Sequence, residues 1–262
     1  MNLSTRERKH YDRHLILDKI GEKGQLKLKQ AKVLVIGAGG LGCPVLQYLT
    51  AAGVGTIGII DPDVVDQSNL QRQILYTIDD IGASKAVTAS KRLSKLNPFV
   101  QFTVYQEKLT TKNAISLFEI YDIIVDGSDN FETRYLTNDA AILTDKPLVY
   151  GAIFKFEGQV SVFNYNGSAT YRCLYPTPPK PETSPNCSEI GVLGVLPGII
   201  GSFQANEVIK IICNIGEVLA NKLLIYDTLS MRQVLLKYEK SDAYTVTSLD
   251  KDYAFFVGYR LP

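Results

Sequence analysis

Histidine is scarce in this chain: His10 and His14 are the only two, and tryptophan is absent. A mechanism built on a histidine base would have to draw on the extreme N-terminal segment. The pair has the i, i+4 spacing of metal ligands on a helix, but no third ligand accompanies it, so both read as surface or packing residues. Cysteine is also sparse. Cys43, Cys173, Cys187 and Cys213 form no paired framework in 262 residues, which points to reduced thiols and a cytoplasmic protein. The net charge is only +1, so nothing general draws the chain to nucleic acid or to an anionic membrane. No apolar run crosses a bilayer uninterrupted: the longest candidate, residues 190–213, contains Pro197, Gln204, Asn206, Glu207 and Lys210. The first residues hold no apolar core of a secretory leader. What remains is ordinary for a globular protein, 45% hydrophobic and 21% charged, and long enough for one full core.

Against that background one motif stands out, Gly37-Ala38-Gly39-Gly40-Leu41-Gly42. A short β-branched run, residues 31–36, precedes it and reads as a buried parallel strand. Pro44, suited to a first helical turn, and an apolar run follow it. Glycines at 37, 39, 40 and 42 permit a tight turn and let backbone N–H groups approach a phosphate at a helix N-terminus. Asp61 ends the next strand-like run, residues 56–60, where a carboxylate can bind a ribose hydroxyl. The turn therefore predicts a bound nucleotide. Taken alone it suits a nicotinamide-dependent dehydrogenase as well as an enzyme that consumes the nucleotide.

Strand and helix signals alternate through the first half. Strands are expected at 33–36, 56–60, 99–105, 123–126 and 148–150, and helices at 6–17, 44–52, 84–96, 112–119 and 132–143. This predicts an α/β fold, a Rossmann-like doubly wound and mostly parallel sheet with N-terminal helices. After Gly151 the pattern changes. Residues 159–163 alternate as an antiparallel strand does, residues 192–213 read as helix, and 222–226 with 233–238 read as paired strands extending the sheet. Prolines at 176, 178, 179, 181 and 185 exclude helix and central strand and predict a mobile loop over 174–190. One domain over 1–240 is expected: a helical arm at 1–30, a nucleotide-binding half at 31–151 and a second half at 152–240. A tail follows at 241–262.

The residues after Asp61 decide between the nucleotide chemistries. Asp63 opens a polar loop that carries Asn69, Arg72 and Gln73, and Lys85 follows near the next helix start. Two cations suit a triphosphate better than a pyrophosphate already satisfied by backbone amides. The fourth strand ends in Asp126-Gly127-Ser128-Asp129-Asn130 with Arg134 beyond, and an acid at that edge is a natural magnesium ligand. Asp129 is the expected ligand and Asp126 the structural acid.

Together with Tyr11-Asp12-Arg13-His14, Tyr171-Arg172-Cys173-Leu174, Asn186-Cys187-Ser188-Glu189 and Ala205-Asn206-Glu207, this set resembles the ThiF/MoeB/HesA family over residues 6–238. The resemblance implies an ATP- and magnesium-dependent adenylyltransferase. Its substrate would be the C-terminal Gly-Gly end of a ubiquitin-like sulfur-carrier protein in molybdopterin or thiamine biosynthesis. It implies that Asp61 binds the ribose, that Asn69, Arg72 and Lys85 surround the phosphates, and that Asp129 holds magnesium. It also implies a homodimer in which Arg13 reaches the partner's site. Cys187 is either a covalent participant in sulfur or acyl chemistry or an inert loop cysteine. Many members carry zinc on two Cys-x-x-Cys pairs. Here Thr170 stands three residues before Cys173 and no second pair exists, so no zinc is expected, with hydrophobic packing closing the gap. The alternatives are adenylation of a peptide or a modified tRNA base, an NAD(P)-dependent oxidoreductase, and a non-catalytic partner of an active relative.

Overall fold

Runs of β-branched residues buried on both faces become the central strands. β1 (Lys32–Ile36), β2 (Thr56–Ile60) and β4 (Ile123–Asp126) lie parallel at the centre of the sheet. β3 (Gln101–Tyr105) and β5 (Leu148–Phe154) flank them, also parallel. β6 (Glu157–Phe163), β7 (Lys222–Asp227) and β8 (Gln233–Lys237) continue the sheet antiparallel. The order is β3-β2-β1-β4-β5-β6-β7-β8, a single eight-stranded mixed sheet. The computed structural model describes residues 2–179, 191–251 and 253.

The pleat divides the core. Val33, Val35, Ile57, Ile59 and Val125 face one layer, with α4 (Gly42–Ala52), α5 (Lys85–Leu96) and α9 (Val195–Cys213). Leu34, Ile36, Ile60 and Ile124 face the other, with α6 (Ala114–Ile120) and α7 (Phe131–Leu143). Alternate side chains of one strand thus serve two layers, as a doubly wound sheet requires. Helix α9 is apolar enough and, at 19 residues, long enough to pass as a span by composition alone. Its partners explain that composition: it packs on α4, β5 and β6.

Two departures from the sequence expectation have a clear tertiary cause. The helix expected over 6–17 is two, α1 (Thr5–His10) and α2 (Asp12–Leu15), followed by α3 (Gly21–Gln30). The break falls at Tyr11, which is buried and whose hydroxyl accepts a hydrogen bond from Asn97 Nδ2 at 2.9 Å. β5 runs four residues beyond its expected end, straight through Gly151. A Cβ on Gly151 would lie 2.4 Å from the Gln204 side chain, so glycine is kept in this strand for close packing. The loop expected over 174–190 is described as far as Pro179, and Cys187 lies outside the described residues.

The closure around Cys173 combines the expected apolar packing, in which Leu174, Tyr238 and Leu249 join the cluster of Tyr171 and Tyr253, with polar contacts that were not expected. Cys173 lies in α8 (Tyr171–Leu174), and its sulfur receives Thr170 N–H and Ser241 N–H, each at 3.4 Å. Burial works against the Cys173 thiolate, but these bonds, the Thr170 hydroxyl and nearby Lys240 outweigh it and lower the thiol's pKa. These neighbours do not fit a soft four-ligand zinc shell. Beside them Asp139 is 1% exposed and holds the region together. Its carboxylate accepts Arg172 Nε at 2.7 Å and Nη2 at 2.6 Å, Tyr253 O–H at 2.7 Å and Asn138 Nδ2 at 2.9 Å. Arg172 also lies 5.0 Å over the Tyr135 ring.

Breaking this pair leaves a partly buried guanidinium with Asp250, 3.4 Å away, as its remaining carboxylate among the described residues, so Asp139→Ala should lower unfolding stability by about 3 kcal/mol. Tyr253→Phe, which removes one donor, should cost about 1–2 kcal/mol. Denaturant unfolding reads both, and an Asp139→Ala chain as stable as the parent would contradict the role given to the network.

Candidate functional site

The sheet reverses its winding between β1 and β4, and the segments leaving them meet there. Ile36 is in register with Ile60 on one side and Asp126 on the other, so three strands end level. A crevice outside the carboxyl ends of strands at such a point is where this architecture takes ligands. Gly37 has φ +87°, and a Cβ there would lie 2.9 Å from Gly127 O, so the two strand exits touch. Gly127 N–H also donates to Ile36 O at 2.8 Å.

Above this junction opens a cleft of about 640 Å³. It is lined by Gly37, Gly39, Gly40, Asp61, Asp63 and Asn69, and by Arg72, Gln73, Lys85, Asp129, Asn130 and Arg134. Nearly all of the residues singled out in the sequence therefore converge. Gly42 instead serves the turn from beneath, since a Cβ there would fall 2.0 Å from Gly37 O. Arg13 does not line the cleft. Its side chain is 88% exposed, 3.8 Å from Asp12.

The two buried acids are held in different ways. Asp61 Oδ2 accepts Ala38 N–H at 2.7 Å and Oδ1 accepts Asp63 N–H at 2.8 Å. Burial raises the pKa of Asp61, against the pull of those two N–H groups and of Lys85. Asp126 accepts the Ser128 hydroxyl at 2.6 Å and the Ser128 N–H at 2.9 Å. Burial pushes Asp126 up as well, opposed by the Arg134 charge. Its carboxylate bonds run to Ser128, two residues on. Asp129 and Asn130, by contrast, are exposed at the rim, and Asn130 Oδ1 caps α7 by accepting Thr133 N–H at 2.9 Å.

The cations come from segments far apart in sequence. Lys85, the first residue of α5, reaches Asp63 Oδ2 at 2.9 Å. Arg72 donates to Ser68 O at 3.1 Å, and Arg134 to Ser128 O at 3.4 Å. Arg134 also lies between the Phe131 and Tyr150 rings, 5.5 and 5.6 Å from their centroids. Lys108 and Lys155 also line the cleft, as do the acids Asp61, Asp63, Glu107 and Asp129. A cleft of mixed charge suits an extended anion that brings a cation with it.

Several contributors were not legible beforehand. Tyr76 is buried, and its hydroxyl donates to Ala38 O at 2.7 Å, clamping the glycine turn. Lys155 lines the cleft from the β5–β6 hairpin at φ +52°, a placement set by the pairing of two strands. Burial pushes the Cys43 thiol up to about 12, and its Sγ lies 3.4 Å from Ala38 O, so this cysteine is packing.

The chain was compared with known proteins. The sequence profile of the ThiF family matches residues 11–245. A Thermus thermophilus protein named sulfur carrier protein adenylyltransferase is 51% identical over 234 residues, covering 87% of this chain and 86% of that protein. A Mycobacterium tuberculosis protein named probable adenylyltransferase/sulfurtransferase MoeZ is 48% identical over 98% of this chain and 66% of its own length. Adenylyltransferase and sulfurtransferase MOCS3 of Anopheles gambiae is 47% identical, and this chain spans 60% of its length. Among solved structures, Escherichia coli MccB with ATP superposes with a TM-score of 0.78 at 23% identity, covering 94% of this chain and 75% of that one. That likeness establishes the shared fold.

The glycines of the turn differ in what they tolerate. Gly39→Ala meets only Gln73 Nε2 at 3.5 Å and should melt with the parent while filling the cleft. Gly42→Ala drives a methyl into the Gly37 carbonyl and should cost more than about 2 kcal/mol of stability. Thermal unfolding of the two variants checks this, and equal melting would contradict it.

Proposed function

This chain belongs to the ThiF family, and on that premise we propose that it adenylates the C-terminal glycine carboxylate of a ubiquitin-like sulfur-carrier protein, with ATP as donor and pyrophosphate released. The observation that carries this reading is the convergence of Asp61, Arg72, Lys85 and Asp129 on one cleft at the switch point. The name of the Thermus relative, half identical over most of both chains, supports the same substrate class. The structure of MccB with ATP supports the nucleotide. Molybdopterin or thiamine biosynthesis is the pathway such a product would serve. Relatives named as adenylyltransferases do not favour the oxidoreductase alternative.

The chemistry asks little in proton transfer. The carrier carboxylate attacks the α-phosphorus, a new P–O bond forms, and the bond to pyrophosphate breaks. Catalysis is therefore positioning together with neutralisation of charge on the transferring phosphoryl group. Asp61 orients the ribose, and the glycine turn brings backbone N–H groups to the phosphates. Asn69, Arg72, Gln73 and Lys85 take the triphosphate. Asp129, a carboxylate at the exposed rim, fits a magnesium site of the kind that uses one carboxylate and phosphate oxygens. Bound there, magnesium would supply charge neutralisation of the triphosphate.

Arg13 belongs, in this reading, to the partner's cleft in a homodimer. Its exposure supports this, as do the exposed apolar residues Ile16 and Leu17 close to it in the chain and Ile74 and Ile78 just beyond Arg72. No step above needs a thiolate, so Cys187 has no part in adenylation.

ATP–pyrophosphate exchange that depends on an added carrier ending in Gly-Gly tests the proposal. Asp129→Ala, Arg72→Ala and Arg13→Ala should each lower exchange by about a hundredfold or more, whereas Cys187→Ala should leave it intact. Mixing the Arg13→Ala and Asp129→Ala proteins should restore part of the activity, because one cleft of a mixed dimer keeps both residues. Nicotinamide binding without ATP binding would overturn the assignment.

A further inference from the structure

Asp63 is joined to Lys85 twice and to Asp61 once. Lys85 N–H donates to Asp63 O at 3.0 Å, and Lys85 Nζ donates to Asp63 Oδ2 at 2.9 Å. Asp63 N–H in turn donates to Asp61 Oδ1 at 2.8 Å. The chain is continuous from the carboxylate at the end of β2 to the cation at the start of α5. Within it the two side chains have unequal surroundings: that of Lys85 is 8% exposed and that of Asp63 is 64% exposed.

A lysine so nearly buried needs counter-charge, and Asp63 supplies it in direct contact while the buried Asp61 carboxylate adds to it from nearby. Arg72, by comparison, leans on the neutral carbonyl of Ser68. An exposed carboxylate bonded to a buried ammonium is a contact that an incoming anion can replace: the lysine keeps its position and the acid turns out to water. The structural bonds of Asp63 run through its backbone, so its side chain is released to do this without disturbing the turn.

We propose that Asp63 is a placeholder for phosphate, a positioning residue that holds Lys85 in the cleft and yields it when a polyphosphate enters. This rests on the adenylation reading and adds to it a setting for product release. The carboxylate competes with pyrophosphate for Lys85 and hastens its departure after the adenylate forms. Without that competition, pyrophosphate would linger on the lysine and reverse the reaction.

Calorimetric titration of the full chain with pyrophosphate, and separately with ATP, tests the inference. Asp63→Asn, which keeps an acceptor but removes the charge, should bind pyrophosphate about fivefold more tightly than the parent at low salt. The gain should shrink as salt is raised, because an exposed charge is screened. Asp63→Glu, which restores the charge, should return the affinity to the parent's. A purely structural Asp63 would give weaker binding in both variants. Equal or weaker pyrophosphate binding by Asp63→Asn therefore overturns the inference while leaving adenylation standing. A parent chain that binds neither ATP nor pyrophosphate would overturn adenylation itself.

Discussion

The Asp61 carboxylate accepts the N–H of Ala38 at 2.7 Å and that of Asp63 at 2.8 Å, and so ties the glycine turn after β1 to the segment after β2. The rest of the cleft depends on this tie. It sits almost wholly buried, where an ionised carboxylate is costly, and the two N–H donors offset part of that cost. With the turn so placed, Tyr76 can clamp Ala38 O from below, and Gly37 can rest against Gly127 at the exit of β4. The Asp61 tie depends on the register of β1 with β2, and the Gly37–Gly127 contact on that of β1 with β4.

Charge is layered outward from that junction. The buried acids, Asp61 and Asp126, spend their oxygens on backbone and hydroxyl donors and fix geometry. The exposed acids, Asp63 and Asp129, sit where a ligand's charge can change their surroundings. The cations divide similarly, with Arg134 clamped between aromatic rings and Lys85 held by a carboxylate that water can reclaim. The inner layer sets the shape of the cleft, and the outer layer is suited to exchange partners during turnover. This division follows from the steep cost of moving a buried charge and the small cost of moving an exposed one.

Much of this was legible in the chain. β2 and β4 were readable to the residue because strands buried on both faces are unbroken apolar runs. Asp61, Lys85 and Asp129 stood out because each follows a strand end or opens a helix at the edge where ligands bind, and Arg72 only through the joint pattern of the loop after Asp61 with Lys85. What escaped depended on tertiary contacts. The break at Tyr11 follows from a hydrogen bond to Asn97, far away in sequence, and β5 passes through Gly151 because Gln204 fills the space above it. The Asp139–Arg172–Tyr253 network, beside the expected apolar packing, escaped because charged residues distant in sequence carry no pattern that pairs them.

The central claim is that the cleft consumes ATP to activate a protein carboxylate. Mass spectrometry of a Gly-Gly carrier incubated with this chain, ATP and magnesium addresses it most directly. The account predicts a carrier heavier by one adenylyl group, with the label of α-phosphate-labelled ATP retained on the carrier. A carrier of unchanged mass, beside a chain that binds ATP intact, would contradict it.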